Sequence, residues 1–288
     1  LISFGYVLEA VSGELHPMRR VAINLIKKPF FSQYQAPWQW PSEIHPGSWE
    51  RVSIDRAGGN LAGLYGPANG EPLGAIVLAH PVGKAAKGFW LRHGHAQLLR
   101  EAGFHVLAFD FNGFGESPSS SFDFAADLLA AGGYMQSRHR ELSIGLVGAS
   151  FGAGWSICAM TSPDHPFRAA ALEGVFTSLP EYYADSFAAS TFFRILKSVS
   201  PTTEHRVKPE YQATKVTGNP ALLLISGSAD EITPPAQAER IRNAVADRAR
   251  SELWVVPEAG HTHVCRDFPA DYADRVIPFF REHLSGNV

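Results

Sequence analysis

A serine at position 150 stands among very small residues, in the stretch G-L-V-G-A-S-F-G-A-G at 145–154. Gly148 lies two positions before it and Gly152 two positions after it. A sharp turn between a strand and a helix can present a serine hydroxyl only where such neighbours lack bulk. The spacing therefore predicts a nucleophile elbow with Ser150 as the nucleophile of an acyl transfer. Because Gly, Ala and Ser are common residues, the prediction depends on partners elsewhere in the chain.

Two downstream loops contain the partners that such a serine needs. A serine hydroxyl is a poor nucleophile at neutral pH, so it requires a base, and the base requires an anchoring carboxylate. Asp230 follows the apolar run in LLLISGSAD, and His261 follows the last predicted strand in LWVVPEAGH. Parallel strands end at one edge of a sheet, so we expect both side chains to meet Ser150 there. The order nucleophile, acid, histidine is that of one known triad arrangement.

Each assignment has an alternative in the sequence. Asp230 could cap the helix that follows it. Glu173, within AALEGVF, is the other acid, although it lies inside a predicted strand rather than in a loop beyond one. His263 competes with His261, and the glycine at 260 favours His261.

An acyl transfer also needs two backbone N–H donors for the developing oxyanion. The amide of Phe151, directly after the nucleophile, is one candidate. The other should come from the loop HPVGKAAKG after the apolar run IVLA. Pro81 has no N–H, so Val82 is the expected donor.

From residue 49 onward, strand-like and helix-like segments alternate at least five times. This alternation predicts an α/β fold with a mainly parallel sheet and helices on both faces. We expect an N-terminal extension over 1–48 and one domain over 49–288. Within that domain an insertion at about 179–219, rich in aromatic residues, could be a lid over the site or a peripheral packing element.

The bulk composition restricts the partners. The chain has 288 residues and a net charge of −3 without a long basic block, which argues against nucleic acid. Residues 1–45 mix apolar and basic positions, so they could form a helix that packs on the domain, a membrane-surface segment or a protein contact. No apolar run is long enough to cross a membrane, and we expect a cytoplasmic protein. The oligomeric state is not indicated. The chain begins with leucine, which suggests that an upstream segment was removed.

No metal or cofactor is expected. Two cysteines, Cys158 and Cys265, give no disulfide framework. His80, His93 and His95 lie close in sequence, but no carboxylate completes a metal-ligand motif with them.

Together these stretches resemble the α/β-hydrolase superfamily over about 49–285. The segments that carry the resemblance best are ALEGVFTSLPE, LLLISGSADEITPP and PEAGHTH. VLAFDFNGFGESP and the nucleophile elbow at 145–154 add to it. The chain is similar in particular to small-lid α/β-hydrolase-domain proteins related to membrane-associated serine hydrolases and depalmitoylases. Its His80-Pro81 pair departs from the His-Gly of many relatives and is similar to bacterial dienelactone-hydrolase-like proteins.

The resemblance implies Ser150 as nucleophile, Asp230 as acid and His261 as base, with Val82 and Phe151 as oxyanion donors. The expected reaction is hydrolysis of a carboxylic ester or thioester of a small-molecule acyl substrate through an acyl-enzyme. The alternatives are an acyltransferase, a cyclase or a partner-dependent hydrolase in a biosynthetic pathway, and a ligand-binding module without catalysis.

Overall fold

A computed structural model describes residues 32–182 and 205–285, and all statements about the structure refer to these two ranges. Within them, eight strands form one sheet in the order β1-β2-β4-β3-β5-β6-β7-β8. The strands are β1 (Glu50–Ile54), β2 (Leu61–Gly66), β3 (Gly74–Ala79), β4 (Phe104–Phe109), β5 (Ile144–Ala149), β6 (Phe167–Glu173), β7 (Ala221–Gly227) and β8 (Arg250–Val256). Strands β1 and β2 are antiparallel to their neighbours, and the other pairings are parallel. The predicted α/β-hydrolase fold class is thereby confirmed.

Helices cover both faces of the sheet. The α-helices of the described ranges are α1 (Gly88–Arg92), α2 (His95–Glu101), α3 (Phe124–Arg138), α4 (Phe151–Ala159), α5 (Leu179–Tyr182), α6 (Pro209–Ala213), α7 (Pro235–Val245), α8 (Val264–Asp267) and α9 (Pro269–Leu284). Apolar side chains of α3, α4 and α7 pack in the core of one face. Those of α1, α2 and α9 pack in the core of the other. The two cores explain why β3, β5 and β7 are apolar and buried along their whole length.

Two local features differ in how well the sequence anticipates them. The two glycines of RAGGN indicate a hairpin turn in the sequence, and Gly58 and Gly59 do lie at positive φ between β1 and β2. The helical pattern of LRHGHAQLLREAG predicts one helix, but the chain makes two, α1 and α2. Gly94, with a φ of 81°, separates them, and a left-handed backbone of this kind ends a helix.

The ends of β5, β7 and β8 lie at one edge of the sheet because these strands run parallel in neighbouring positions. The loops that carry Ser150, Asp230 and His261 therefore start from the same edge. Most of the predicted insertion, 183–204, and the first 31 residues lie outside the described residues. The domain boundaries and the roles of the extension and the lid stay predictions.

Candidate active site

Ser150 occupies a strained turn between β5 and α4, with a φ of 50° and a ψ of −111°. Its N–H donates to the carbonyl of Glu173 at 2.8 Å, which fixes the turn to the end of the neighbouring strand β6. A Cβ at position 152 would overlap the carbonyl of Ala79, and one at position 148 would press on Ala153. The small neighbours in the sequence are therefore required by the close approach of α4 to β3 and β5.

The Ser150 hydroxyl lies 2.8 Å from Nε2 of His261. Nδ1 of the same ring lies 2.8 Å from Oδ2 of Asp230. An ionised carboxylate only accepts hydrogen bonds, so Nδ1 carries the proton and donates it to Asp230. Nε2 is then the acceptor for the Ser150 proton. The three residues form one directed chain of hydrogen bonds from serine to carboxylate.

Asp230 is held by donors from its own loop. The amides of Ile232 and Thr233 donate to Oδ1 at 2.9 and 2.8 Å, and the Thr233 hydroxyl donates to Oδ2 at 2.7 Å. Burial alone would raise the pKa of Asp230, but the hydrogen bonds from His261 and Thr233 outweigh it and keep the pKa below its usual value. The carboxylate thus stays ionised beside the imidazole.

The geometry favours His261 over His263 as the base and Asp230 over Glu173 as the acid. The side chain of His263 is 41% exposed and lies 3.9 Å from Asp267. Glu173 bonds the backbone N–H of Val264 at 3.0 Å and makes no hydrogen bond to His261. Among the two acids and two histidines considered, only Asp230 and His261 therefore join the chain of side-chain hydrogen bonds that starts at the Ser150 hydroxyl.

Glu173 is a buried carboxyl group close to the hydrogen bonds that join Ser150, His261 and Asp230. Burial is the main cause that raises its pKa to about 7, while the Val264 N–H opposes the shift and the charge of Asp230 adds to it. Its backbone holds Ser150 and its side chain holds the start of α8, just beyond His261. Glu173 therefore links the serine turn to the histidine loop.

The two expected oxyanion donors are the residue directly after the serine and a residue of the loop after β3. Phe151 is the first residue of α4, where amides have no acceptor within the helix. Val82 lies in the loop after β3, and β3 pairs with β5 with Ala79 beside Gly148. This places the loop next to the turn that carries Ser150.

His80 fixes the loop that contains Val82. Its Nδ1–H donates to the carbonyl of Pro81 at 2.8 Å, and its Nε2 accepts the N–H of Phe111 at 3.1 Å. Burial lowers the pKa of His80 to about 4, so the ring is neutral and keeps both bonds. The His-Pro pair is thus a support between the loops after β3 and β4.

A buried ion pair holds the far end of the same loop. Lys87 Nζ lies 2.5 Å from Asp110 Oδ2 and 3.0 Å from Glu116 Oε2, and the Lys87 amide donates to Asp110 at 2.9 Å. Both Lys87 and Asp110 are almost fully buried. No sequence pattern indicates this pair, because its members lie 23 positions apart on different loops.

Two further side chains touch the chain of hydrogen bonds and were not predicted. The Thr233 hydroxyl lies 3.1 Å from His261 Nδ1, and the Tyr182 hydroxyl lies 3.3 Å from Ser150 Oγ. Thr233 follows Asp230 by three positions, a spacing typical of a local carboxylate turn that could have indicated it. Tyr182 belongs to the insertion after β6, where one aromatic residue among several carries no distinguishing signal.

In the described part of the chain, no three His, Cys, Asp or Glu side chains are arranged to hold a metal ion. His95 is buried among aromatic rings, against Trp90 and Tyr272, rather than beside a carboxylate. The same residues contain no helix that is long and apolar enough to span a membrane. The predicted membrane-surface segment, at 1–45, lies mostly outside the described residues and stays a prediction.

Comparison with known proteins agrees with this architecture. The sequence profile of the prolyl oligopeptidase family matches residues 90–287. An uncharacterized protein of Mycobacterium tuberculosis (strain H37Rv) is 29% identical over 224 residues, which cover 76% of this chain and 74% of that protein. The uncharacterized protein YfhR of Escherichia coli O157:H7 is 24% identical, over 97% of this chain and 94% of that protein.

Solved structures share the fold. An esterase of Pyrococcus furiosus superposes with a TM-score of 0.67 at 18% identity, over 87% of this chain and 98% of its own. An acylaminoacyl peptidase of Pyrococcus horikoshii superposes with a TM-score of 0.63 at 18% identity, over 83% of this chain and 42% of its own. The resemblance to the superfamily is confirmed, whereas the depalmitoylase-related and dienelactone-hydrolase-like likenesses stay predictions. The chain belongs to the prolyl oligopeptidase family and is a serine hydrolase of the α/β-hydrolase type.

Proposed function

We propose that the protein hydrolyses carboxylic esters, with thioesters as a related substrate class, through an acyl-enzyme on Ser150. The observation that carries the proposal is the directed chain from Ser150 Oγ through His261 to Asp230, with 2.8 Å at each step. This chain supplies a nucleophile, a base of fixed tautomer and an anion that stabilises the imidazolium. The two catalytic partners face a serine that is itself in a strained turn.

Acylation begins as Ser150 Oγ attacks the substrate carbonyl carbon. The hydroxyl proton moves to His261 Nε2, the new C–O bond forms, and the carbonyl electron pair moves onto oxygen. The amides of Phe151 and Val82 donate to that oxyanion, each contributing about 3 kcal/mol to barrier lowering. Collapse returns the electron pair, breaks the bond to the leaving group and delivers the His261 proton to it. In deacylation a water molecule attacks the acyl carbon and gives its proton to His261 Nε2. Collapse of the second tetrahedral intermediate breaks the bond to Ser150 Oγ, which takes the proton back from His261 as the carboxylic acid leaves.

The proposal of ester rather than peptide substrates rests on two supports. On the β6 side the Tyr182 ring lies beside Ser150 and packs on the buried Phe176, with ring centroids 5.0 Å apart, and an aromatic ring at the site suits an apolar acyl group. The structural relatives include an esterase as well as a peptidase. Short- to medium-chain esters are the expected substrates.

The nucleophile is tested with a fluorophosphonate probe, read by mass spectrometry of the intact protein. We expect one adduct on the wild type, none on Ser150→Ala, and an unchanged adduct on Ser137→Ala, whose hydroxyl bonds a carbonyl on the exposed side of α3. Labelling of Ser150→Ala at the wild-type rate would refute the assignment.

The substrate class is tested with nitrophenyl esters of increasing acyl length and a nitroanilide of the same acyl group. Ester turnover that exceeds amide turnover by several orders of magnitude would support the proposal. Preferential turnover of the nitroanilide would replace it with a peptidase function on the same triad.

A further inference from the structure

The Tyr182 hydroxyl lies beside the nucleophile. Oη of Tyr182 lies 3.3 Å from Oγ of Ser150, and its ring packs on Phe176. Phe176 is itself fully buried against α4, since a Cβ at position 154 would overlap its ring. The phenol is therefore carried on a packed support beside the reacting oxygen.

The positions of the hydroxyl protons determine which oxygen donates in the contact between Tyr182 and Ser150. The Ser150 hydroxyl has one proton, and the tautomer of His261 commits it to Nε2. Ser150 Oγ has only lone pairs left for Tyr182, so the tyrosine O–H donates. Burial raises the pKa of Tyr182 above its usual value, which keeps this proton on the phenol at neutral pH.

The strand order places Tyr182 on a definite side of the serine. The loop with Val82 follows β3, which neighbours β5 on one side. Tyr182 follows β6, which neighbours β5 on the other side, and the loops of Asp230 and His261 follow β7 and β8 beyond it. Tyr182 thus belongs to the segments on the histidine side of β5, opposite the loop that carries Val82.

In a tetrahedral intermediate the leaving-group oxygen is one carbon away from Ser150 Oγ and turns toward His261, which protonates it. We propose that Tyr182 is a further catalytic residue that donates a hydrogen bond to this leaving-group oxygen, and that the enzyme is thereby suited to oxoesters of unactivated alcohols. The inference rests on the proposed acyl-enzyme function and names its leaving-group class.

The step balances without a further reactant. As the C–O bond to the leaving alcohol breaks, its electron pair stays on the leaving oxygen and the oxyanion pair re-forms the C=O bond. His261 Nε2–H gives its proton to the leaving oxygen. Tyr182 retains its own proton and stabilises the negative charge that develops on that oxygen before the proton arrives.

This role makes the benefit of Tyr182 depend on the leaving group. An alkoxide develops a concentrated charge and gains much from a second donor. A nitrophenolate spreads its charge over the ring, and a thiolate accepts hydrogen bonds weakly, so both gain little. A hydrogen bond to the oxyanion, by contrast, would be worth about the same for all leaving groups of one acyl series.

The test compares wild type, Tyr182→Phe and Tyr134→Phe on esters of one acyl group with nitrophenol, phenol and a simple alcohol, and on the matching thioester. Tyr134 is the matched control because its hydroxyl bonds Arg138 on α3, away from the site. For Tyr182→Phe we expect kcat/KM to fall about 10- to 100-fold for the alkyl ester and less than about threefold for the nitrophenyl ester and the thioester. Tyr134→Phe should match the wild type throughout.

Three results would overturn the inference while leaving the acyl-enzyme function in place. An equal loss for every leaving group would assign Tyr182 to the oxyanion or to general positioning. No loss would remove it from the reaction, and a gain would make it a group that blocks the resting serine. Fluorophosphonate labelling of Tyr182→Phe at Ser150 distinguishes these results from failure of the nucleophile. A wild type that neither labels at Ser150 nor hydrolyses any ester would refute both proposals.

Discussion

Replacing Glu173 with glutamine should change how the stability of the protein depends on pH. Glu173 is buried at the end of β6, with its side chain bonded to the Val264 N–H. A glutamine has nearly the same shape, and its carbonyl oxygen can accept the same N–H. The substitution therefore removes a titrating group while it keeps the contact that joins β6 to α8.

The sign and the size of the effect follow from the pKa. The pKa of Glu173 rises from 4.5 to about 7, mainly because burial disfavours the carboxylate. Between these pH values the native state holds a proton that the unfolded chain has lost, so the stability falls as pH rises. At about 1.4 kcal/mol per tenfold change in acidity, the loss reaches about 3 kcal/mol once the pH passes 7. Below pH 4.5 the loss is absent.

Urea unfolding of both proteins at several pH values from 4 to 8 measures this difference. The free energy of unfolding of Glu173→Gln, relative to wild type, should increase by about 3 kcal/mol from the acidic to the basic end. The exposed Glu71 provides the control, and Glu71→Gln should follow the wild type at every pH. If the curves of wild type and Glu173→Gln run parallel, the carboxyl is ionised throughout and the argument from burial is wrong.

Two other substitutions test the supports of the site. Asp230→Asn should lower kcat about 10⁴-fold, because the amide donates to His261 Nδ1 and forces the proton onto Nε2. Asp271→Asn, at an exposed position, is the control. A loss in kcat below tenfold for Asp230→Asn, or an equal loss for Asp271→Asn, would refute the prediction. Lys87→Met should lower the free energy of unfolding by about 3 kcal/mol because Asp110 stays buried and unpaired. Lys84→Met, an exposed substitution on the same loop, should leave the free energy of unfolding unchanged. Equal urea midpoints for Lys87→Met and Lys84→Met would contradict the prediction.

The residues of the predicted triad could be found from sequence because each follows a predicted strand, although β8, before His261, has exposed and partly exposed positions rather than a continuous apolar run. β5 and β7 are buried along their whole length, and this pattern identifies the strands without knowledge of their partners. Once the strands are parallel, their ends share one edge, and the loop residues meet there. The sequence order was therefore sufficient to predict that Ser150, Asp230 and His261 come together.

The supports around the triad could not be found in the same way. The sequence assigns no role to the His80 side chain, whereas in the structure it joins two loops by bonds to Pro81 and Phe111. Tyr182 reaches Ser150 from a segment without a periodic pattern. These contacts depend on how loops from different strands approach each other, and no local propensity encodes that approach.

Two buried groups hold the loops on either side of Ser150, and their titrations oppose each other. Burial lowers the pKa of His80 from 6.5 to about 4, so this group makes the protein more stable as pH rises through that interval. Burial raises the pKa of Glu173 from 4.5 to about 7, so that group makes the protein less stable as pH rises. Their slopes cancel between about pH 4.5 and 6.5, where the two intervals overlap. Because each group binds its backbone partner while uncharged, both loops keep their position across this range. In Glu173→Gln the rising slope to which His80 contributes is no longer offset by Glu173.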